Sequence, residues 1–536
     1  MDLERKEIRM SERSMLTVLL GAFLVSLVCT PAAYAIGAWS TLADAIWDYE
    51  GDQAGARSGE AVTATGDFNN DSYDDVVIGA RLYDYFDGAE TWDDNGGAWV
   101  FYGSATGPST VPDLFLAPPF KNDYRYFGFA VATADLDGDD YDDLIISLPN
   151  YDQTHSDEGA VYVYYGSASG IDGTPDWTVR GANTYAHLGL SAASAGDIDN
   201  DGYDDLIVGA KRYDTCSPFI NHAYVFLGSV TGLGADATAA EADWYATGDQ
   251  CDPAIPFPND KTAAFGTHVG SAGDLNDDNY DDIFVTAPLY DAGQTNEGKV
   301  FVWYGAMSGL GATGSPSNAD WTAEGDRADL QFGGDSMPAV ASGDLNGDGY
   351  DDLVIGSRLY DYQNSSDPNS NDGIVFAWYG SDTGLGAVNG TPANAGWLAH
   401  GALANDQLGA NVTVLDYNGD RFDDVLIGGI GHPVGGNNGS GMAVIYLGSE
   451  AGLGAQGPSY YADWMVEGDQ LNSYFGWSMS AGDTDDDGND DMLVGAHYYD
   501  LTNADAGKVW TFPGEPTVFI ENFETGDTDR CTNTVQ

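Results

Sequence analysis

A nine-residue acidic pattern, D-x-[DN]-x-D-x-x-D-D, occurs seven times between residues 67 and 491. It reads DFNNDSYDD from Asp67, DLDGDDYDD from Asp135, DIDNDGYDD from Asp197 and DLNDDNYDD from Asp274. It returns as DLNGDGYDD from Asp344, DYNGDRFDD from Asp416 and DTDDDGNDD from Asp483. The intervals are 68, 62, 77, 70, 72 and 67 residues. One such pattern is a common acidic loop, but seven at a near-constant period mark an internal repeat. A chain of 536 residues would otherwise be divided into roughly three or four domains. The repeat overrides that count.

The spacing carries a chemistry. Oxygens at positions 1, 3 and 5 converge when the backbone curls, position 7 offers its carbonyl, and the carboxylate at position 9 closes the shell. Hard oxygen donors at this density suit Ca²⁺. The candidate ligands are Asp67, Asn69, Asp71, Tyr73 and Asp75; Asp135, Asp137, Asp139, Tyr141 and Asp143; and Asp197, Asp199, Asp201, Tyr203 and Asp205. They continue as Asp274, Asn276, Asp278, Tyr280 and Asp282; Asp344, Asn346, Asp348, Tyr350 and Asp352; Asp416, Asn418, Asp420, Phe422 and Asp424; and Asp483, Asp485, Asp487, Asn489 and Asp491. Position 6 needs a sharp turn and is Gly202, Gly349 and Gly488 in three loops. Ser72 and Arg421 suit it less, so loops 1 and 6 are expected to bind more weakly. Position 12 is Ile or Val throughout, so these are not EF-hands, which need Glu there. The Asp at position 8 is expected to cap a turn or support the ligands. The competing reading is seven Asx-type turns without metal.

The rest of each period reads as strands. An apolar run such as DDVVIGA follows the acidic loop and predicts a buried strand. A second run, such as GGAWVFYGSATG or GAVYVYYGSASG, ends in a Gly-rich turn. Next comes a segment carrying Trp177, Trp244, Trp321, Trp397 or Trp464, with Phe115 standing in after the first unit. A further strand leads into the next loop. Four strands per period and seven periods predict an all-β, seven-bladed β-propeller, with Ca-binding loops between strands 1 and 2. The seventh unit stops at its third strand, near Phe512. Trp47, in IWDYEGD, is expected to supply the missing outer strand.

With these elements placed, the chain resembles the FG-GAP repeats of the integrin α-subunit N-terminal propeller and its secreted bacterial relatives. The FG element is Phe127-Gly128, Phe265-Gly266, Phe332-Gly333 and Phe475-Gly476, with Leu188-Gly189, Leu408-Gly409 and Ser58-Gly59 as variants. The GAP element is Gly79-Ala80-Arg81, Gly209-Ala210-Lys211, Thr286-Ala287-Pro288 and Gly495-Ala496-His497. It is degenerate at Ser147-Leu148-Pro149, Gly356-Ser357-Arg358 and Gly428-Gly429-Ile430. The resemblance covers about residues 40–515. It implies Ca²⁺ between strands 1 and 2 on the lower face. From the loops themselves, up to seven structural ions are expected. Two departures matter. All seven loops look competent here, whereas integrins fill only some. No inserted adhesion domain or leg domain is present in this sequence, so integrin-style signalling does not carry over.

The remaining features bound the function. A net charge of −67, from 85 Asp+Glu against 18 Lys+Arg, excludes a nucleic-acid footprint. Residues 1–35 read as a signal peptide: Arg5, Lys6, Arg9 and Arg13 precede an apolar run, and Ala33-Tyr34-Ala35 fits a cleavage site. An uncleaved anchor is the alternative. The mature chain is expected to be secreted or at the cell surface, without a membrane span, and monomeric. Cys216 and Cys251 are a disulfide candidate, since alternating strand direction puts their loops on one face. Residues 516–536 are expected to be a disordered acidic tail. A Tyr-Asp pair follows the second strand in six units: Tyr83-Asp84, Tyr151-Asp152, Tyr213-Asp214, Tyr290-Asp291, Tyr360-Asp361 and Tyr499-Asp500. These pairs either contact a ligand or serve the scaffold. No catalytic motif stands out, and a polysaccharide lyase would need a basic cluster that 18 Lys+Arg make scarce. The favoured expectation is non-enzymatic binding or adhesion through the face opposite the metals, to an extracellular protein or glycan. A secreted carbohydrate-active or glycan-binding protein and a purely structural surface component are the alternatives.

Overall fold

Among the described residues of the computed structural model (38–86, 88–119, 124–211, 221–250, 263–335, 337–362, 370–386, 388–435 and 439–515), the chain forms seven antiparallel blades around an axis. Blade 1 is Ala61–Gly66, Asp75–Ala80, Gly97–Phe101 and Leu114–Leu116. Blade 2 is Val131–Ala134, Asp143–Leu148, Ala160–Tyr164 and Trp177–Arg180. Blade 3 is Leu188–Gly196, Asp205–Ala210, His222–Phe226 and Trp244–Thr247. Blade 4 is Val269–Gly273, Asp282–Ala287, Lys299–Trp303 and Trp321–Glu324. Blade 5 is Val340–Gly343, Asp352–Ser357, Ile374–Trp378 and Trp397–His400. Blade 6 is Leu408–Leu415, Asp424–Gly429, Met442–Tyr446 and Trp464–Glu467. Blade 7 takes Ser478–Gly482, Asp491–Ala496 and Lys508–Phe512 from the end of the chain. Its outer strand is Trp47–Glu50, paired antiparallel from Trp47 opposite Thr511 to Glu50 opposite Lys508. The expected closure of the ring is therefore present.

The core is divided among the interfaces. Among the described residues, seven large buried clusters each draw on two adjacent blades, including one between blades 7 and 1, and a small eighth joins Met337, Ala410 and Ile430. Every second strand is buried along its whole length, as a strand packed on both faces must be. The repeated glycines make this close stacking possible. A Cβ on Gly79 would lie 2.4 Å from the Gly128 carbonyl oxygen, and one on Gly495 would lie 2.5 Å from that of Gly59. The FG glycines also hold positive φ, 80° at Gly128 and 81° at Gly59, where any side chain is strained. In the four blades where a Phe precedes the glycine it is fully buried: Phe127, Phe265, Phe332 and Phe475 are at most 1% exposed.

The tryptophans fasten the rim. Trp177 Nε1 donates to the Ala235 carbonyl of the next blade at 2.9 Å, and Trp244 does the same to Ala312. Trp47 repeats the contact across the seam, to Ser109 of blade 1 at 2.9 Å. Trp464 donates to Ser40 Oγ, in the short segment Ala38–Ser40 that runs parallel to the outer strand of blade 6. Blade 1 has Phe115 at this position, as expected, and so lacks the donor.

Blade 6 lacks the Tyr-Asp pair and places His432 there. Its Nδ1 lies 2.9 Å from Asp406 and its Nε2 lies 3.2 Å from Glu467. Burial pulls the imidazole pKa down, but the hydrogen bonds and charges of the two carboxylates carry it above its ordinary value. A raised pKa in the fold means stability present below the unfolded value, about 6.5, and lost as pH rises through the folded value.

Two outcomes are expected. Trp47→Ala should cost about 3 kcal/mol, whereas Trp47→Phe should cost about 1 kcal/mol, the loss of one hydrogen bond; thermal melting distinguishes them. Wild type should lose stability relative to His432→Asn as pH rises from 6 to 8. A pH-independent difference between their melting temperatures would remove His432 from the account.

Candidate functional site

The seven acidic loops share one backbone. Position 6 has positive φ in all of them: 74° at Ser72, 68° at Asp140, 64° at Asn279 and 72° at Arg421, with Gly202, Gly349 and Gly488 between 87° and 91°. Position 4 is left-handed as well, from Asn70 at 53° to Gly347 at 70°. This double reversal turns successive amides inward. The position-1 carboxylate collects the amides of positions 5 and 6. Asp197 Oδ1 accepts from Asp201 at 3.0 Å and its Oδ2 accepts from Gly202 at 2.8 Å. Position 5 accepts the amide of position 7, as at Asp139 from Tyr141.

The position-9 carboxylates are buried and doubly anchored. Asp143 accepts from Leu136 N–H at 3.0 Å and from Gly166 N–H at 2.9 Å. The same pair of contacts recurs at Asp75, Asp205, Asp282, Asp352 and Asp424. Burial pushes the pKa of all six up to about 8, against the downward pull of the amides. Asp491 is raised to about 6 by the same cause, relieved first by the Thr484 hydroxyl. Such carboxyls hold their charge fully at neutral pH only beside a positive charge.

Position 8 joins the blades. Asp142 Oδ2 accepts the amide of Asp67 in blade 1 at 2.9 Å, while its own amide donates to the Asp67 carbonyl at 3.2 Å. The side-chain contact recurs at every interface, from Asp204 on Asp135 to Asp74 on Asp483 across the seam. Where turn capping or ligand support is expected from the sequence, the carboxylate instead reaches into the neighbouring blade.

Position 3 is where the loops leave an oxygen unmatched. In the three loops with Asp there, Asp137 Oδ1, Asp199 Oδ1 and Asp485 Oδ1 are buried without a hydrogen-bond partner. Their carboxylates cluster within 4.8 Å: Asp135, Asp137 and Asp143; Asp197, Asp199 and Asp201; Asp483, Asp485 and Asp487. Gathered carboxylates with an unmatched oxygen turned inward are the donor set of a hard divalent cation. In other loops Asn occupies position 3, and Asn346 Oδ1 accepts the Asp348 amide at 3.0 Å.

On the opposite face, the Tyr-Asp pairs are engaged by their own blades. Tyr83 packs edge-on against Trp99 at 5.1 Å, Tyr290 against Phe301 at 5.4 Å and Tyr499 against Trp510 at 5.2 Å. Tyr151 and Tyr360 are buried against Tyr162 and Phe376. Asp84, Asp291, Asp361 and Asp500 accept amides within the loop that follows, and Asp152 accepts that of Asp157. These are the contacts of the scaffold reading. Tyr213, Asp214, Cys216, Cys251, residues 1–35 and the tail from 516 lie outside the described residues.

The sequence reading missed a central mouth on this face. A cavity of about 420 Å³ opens there, lined by Arg57, Arg81, Lys211, His187, His268 and His497, among others. The basic cluster that composition made scarce is therefore present. Its signal was the third GAP position, where Arg81, Lys211 and His497 replace the proline.

Comparison with known proteins places this architecture. The FG-GAP repeat model matches residues 58–101, 127–164, 189–232, 265–303, 338–378 and 475–512, which is every blade except blade 6. Integrin alpha-8 of Gallus gallus is 27% identical over 254 residues, 45% of this chain and 21% of that protein. Integrin alpha-5 of Xenopus laevis is 32% identical over 175 residues, 32% of this chain and 16% of that one. A phosphatidylinositol-glycan-specific phospholipase D of Dictyostelium discoideum is 24% identical over 327 residues, 57% and 32% of the respective chains. The chain thus spans about a fifth of the length of the integrin relatives it matches. A crystal structure of BBS1N in complex with ARL6DN, soaked with mercury, aligns with TM-score 0.44 and 10% identity over 88% of this chain and 98% of that one. The repeats and the relatives together make this chain an FG-GAP repeat protein resembling the integrin α N-terminal propeller.

Proposed function

We propose that the chain is an exported calcium-binding propeller that acts as a non-enzymatic binding or adhesion module at the cell exterior, through the face opposite the acidic loops. The observation that carries calcium is the trio of buried, partnerless position-3 oxygens, each within a knot of carboxylates. Positions 1, 3, 5 and 9 would supply side-chain oxygens, and position 7 its carbonyl. The ion would supply the positive charge that these buried carboxylates need. Binding as a role rests on the integrin α relatives. Export rests on the N-terminal sequence, and no helix among the described residues is long and apolar enough to cross a membrane. The phospholipase D alignment leaves about two thirds of that enzyme's length outside, so no activity is transferred from it.

Calcium-loaded protein should melt on the order of 10 °C or more above chelated protein, since each filled site at a hundredfold excess over Kd contributes about 2.7 kcal/mol. Equilibrium dialysis of wild type should approach seven ions per chain, and Asp199→Ala should bind one fewer. An unchanged melt in protein shown to be stripped of metal would end the structural role. Arg421→Gly removes a side chain from a left-handed position worth about 1 kcal/mol, and should tighten the blade 6 site about fivefold in a competition titration.

A further inference from the structure

The central mouth gathers what the chain otherwise lacks. In a sequence with 85 Asp+Glu, 18 Lys+Arg and 7 His, three cations and three histidines line one cavity. They arrive from different blades. Arg57 lies at the entry to blade 1, and Arg81, Lys211 and His497 directly follow the second strands of blades 1, 3 and 7. His187 and His268 sit at the entries to blades 3 and 4. Repetition of the scaffold does not dictate them, because the equivalent residues of blades 2, 4 and 6 are Pro149, Pro288 and Ile430, and Arg358 of blade 5 is engaged by Asp335.

Two acids share the cavity. Glu60 lies 2.8 Å from Arg81 Nε and 4.0 Å from Arg57. Asp335 is held by Arg358 through Nε at 3.0 Å and Nη2 at 2.6 Å. Among the lining side chains, Arg57, Arg81 and Lys211 outnumber these two acids by one, and burial lowers the pKa of the Lys211 ammonium. The walls are aromatic. Arg57 lies over Tyr498 at 4.5 Å, Arg81 lies between Tyr126 at 5.5 Å and Phe129 at 5.3 Å, and the His497 ring is 4.2 Å from Trp477. His268 Nε2 and His497 Nδ1 are buried without a hydrogen-bond partner. Burial pushes both imidazoles down, His268 to about 4 and His497 well below its ordinary value. They are neutral at pH 7, each with one ring nitrogen left to meet a hydroxyl.

We infer that this mouth binds the carboxylated ring of an acidic sugar, a uronic acid unit of a polysaccharide. The inference rests on the binding reading above and names its ligand class. Guanidinium and ammonium groups match the carboxylate, the aromatic faces match the C–H faces of a pyranose ring, and the imidazole nitrogens match its hydroxyls. The volume is that of a small-molecule site. A simple anion would use the cations and leave the aromatic walls unexplained. A neutral sugar would leave the positive surplus unexplained.

The test is isothermal titration calorimetry of the full chain, calcium-loaded, with tri-galacturonic and tri-guluronic acids. Sodium chloride at about 0.5 M screens repulsion from the acidic surface. At least one acid should bind. Its methyl ester, which keeps the rings and loses the charge, should bind at least tenfold more weakly. Arg57→Gln and Lys211→Met should each lower affinity tenfold or more with an unchanged melting temperature. Heat from calcium capture by the acid persists in both variants, whose acidic loops are intact, and is subtracted. Equal binding of acid and ester, binding unaffected in both variants, or preference for a hexaglutamate peptide overturns the assignment. If neither acid binds while the same preparation binds another glycan or a protein on an array, this inference falls and the binding reading stands. If the array is also blank, both fall.

Discussion

Everything in this ring depends on each blade being held by its neighbour. A blade is a single sheet with two faces to cover, and the seven large buried clusters all lie between blades. The position-8 aspartate sets the spacing on the acidic face. Its carboxylate accepts one amide of the adjacent loop while its own amide donates to the carbonyl of that same residue, so the two loops are fixed in register. A third contact runs beside them, from the residue after the third-strand glycine to position 2 of the preceding loop, as Ser167 to Phe68 and Glu515 to Tyr417. The acidic motif therefore has two tasks. Its odd positions curl the loop on itself, and its eighth residue assembles the ring.

Much of this was legible in the sequence, for a physical reason. Chemistry that depends on residue identity at fixed local spacing repeats visibly, so the loops, the buried strands after them and the closing segment at Trp47 could all be read. What depends on contacts between blades could not. Nothing in DDYDD tells that Asp142 reaches Asp67, because the partner lies 75 positions away. Position 4 hid its left-handed backbone because Asn and Asp share it with Gly. Blade 6 escaped the family match, with Leu408 for the Phe and Gly428-Gly429-Ile430 for the GAP element, yet its strands pair like the others.

The central mouth was missed through averaging. A chain-wide count treats basic residues as scattered, whereas the propeller brings the ends of seven second strands to one axis. Three cations taken from Arg57 to Lys211 thereby become neighbours. Composition rules out broad basic surfaces, but it does not rule out one small basic site in an acidic protein. The two faces then differ in kind. One concentrates negative charge in loops bound into the ring. The other places its rare positive charges where no blade packs over them.

The strand at Trp47 also orders the folding in time. Lys508 Nζ meets Glu50 at 3.0 Å across 458 positions of sequence, a closure whose entropic cost is about 5 kcal/mol beyond a constant. A chain made from its N-terminus can stack blades 1 to 6 as they appear, each on the last. The strand Trp47–Glu50 has nothing to pair with until the third strand of blade 7 is complete. Until then the growing arc has an uncovered blade face at each end, and the pairing of these two strands decides whether it becomes a circle or an adhesive fragment.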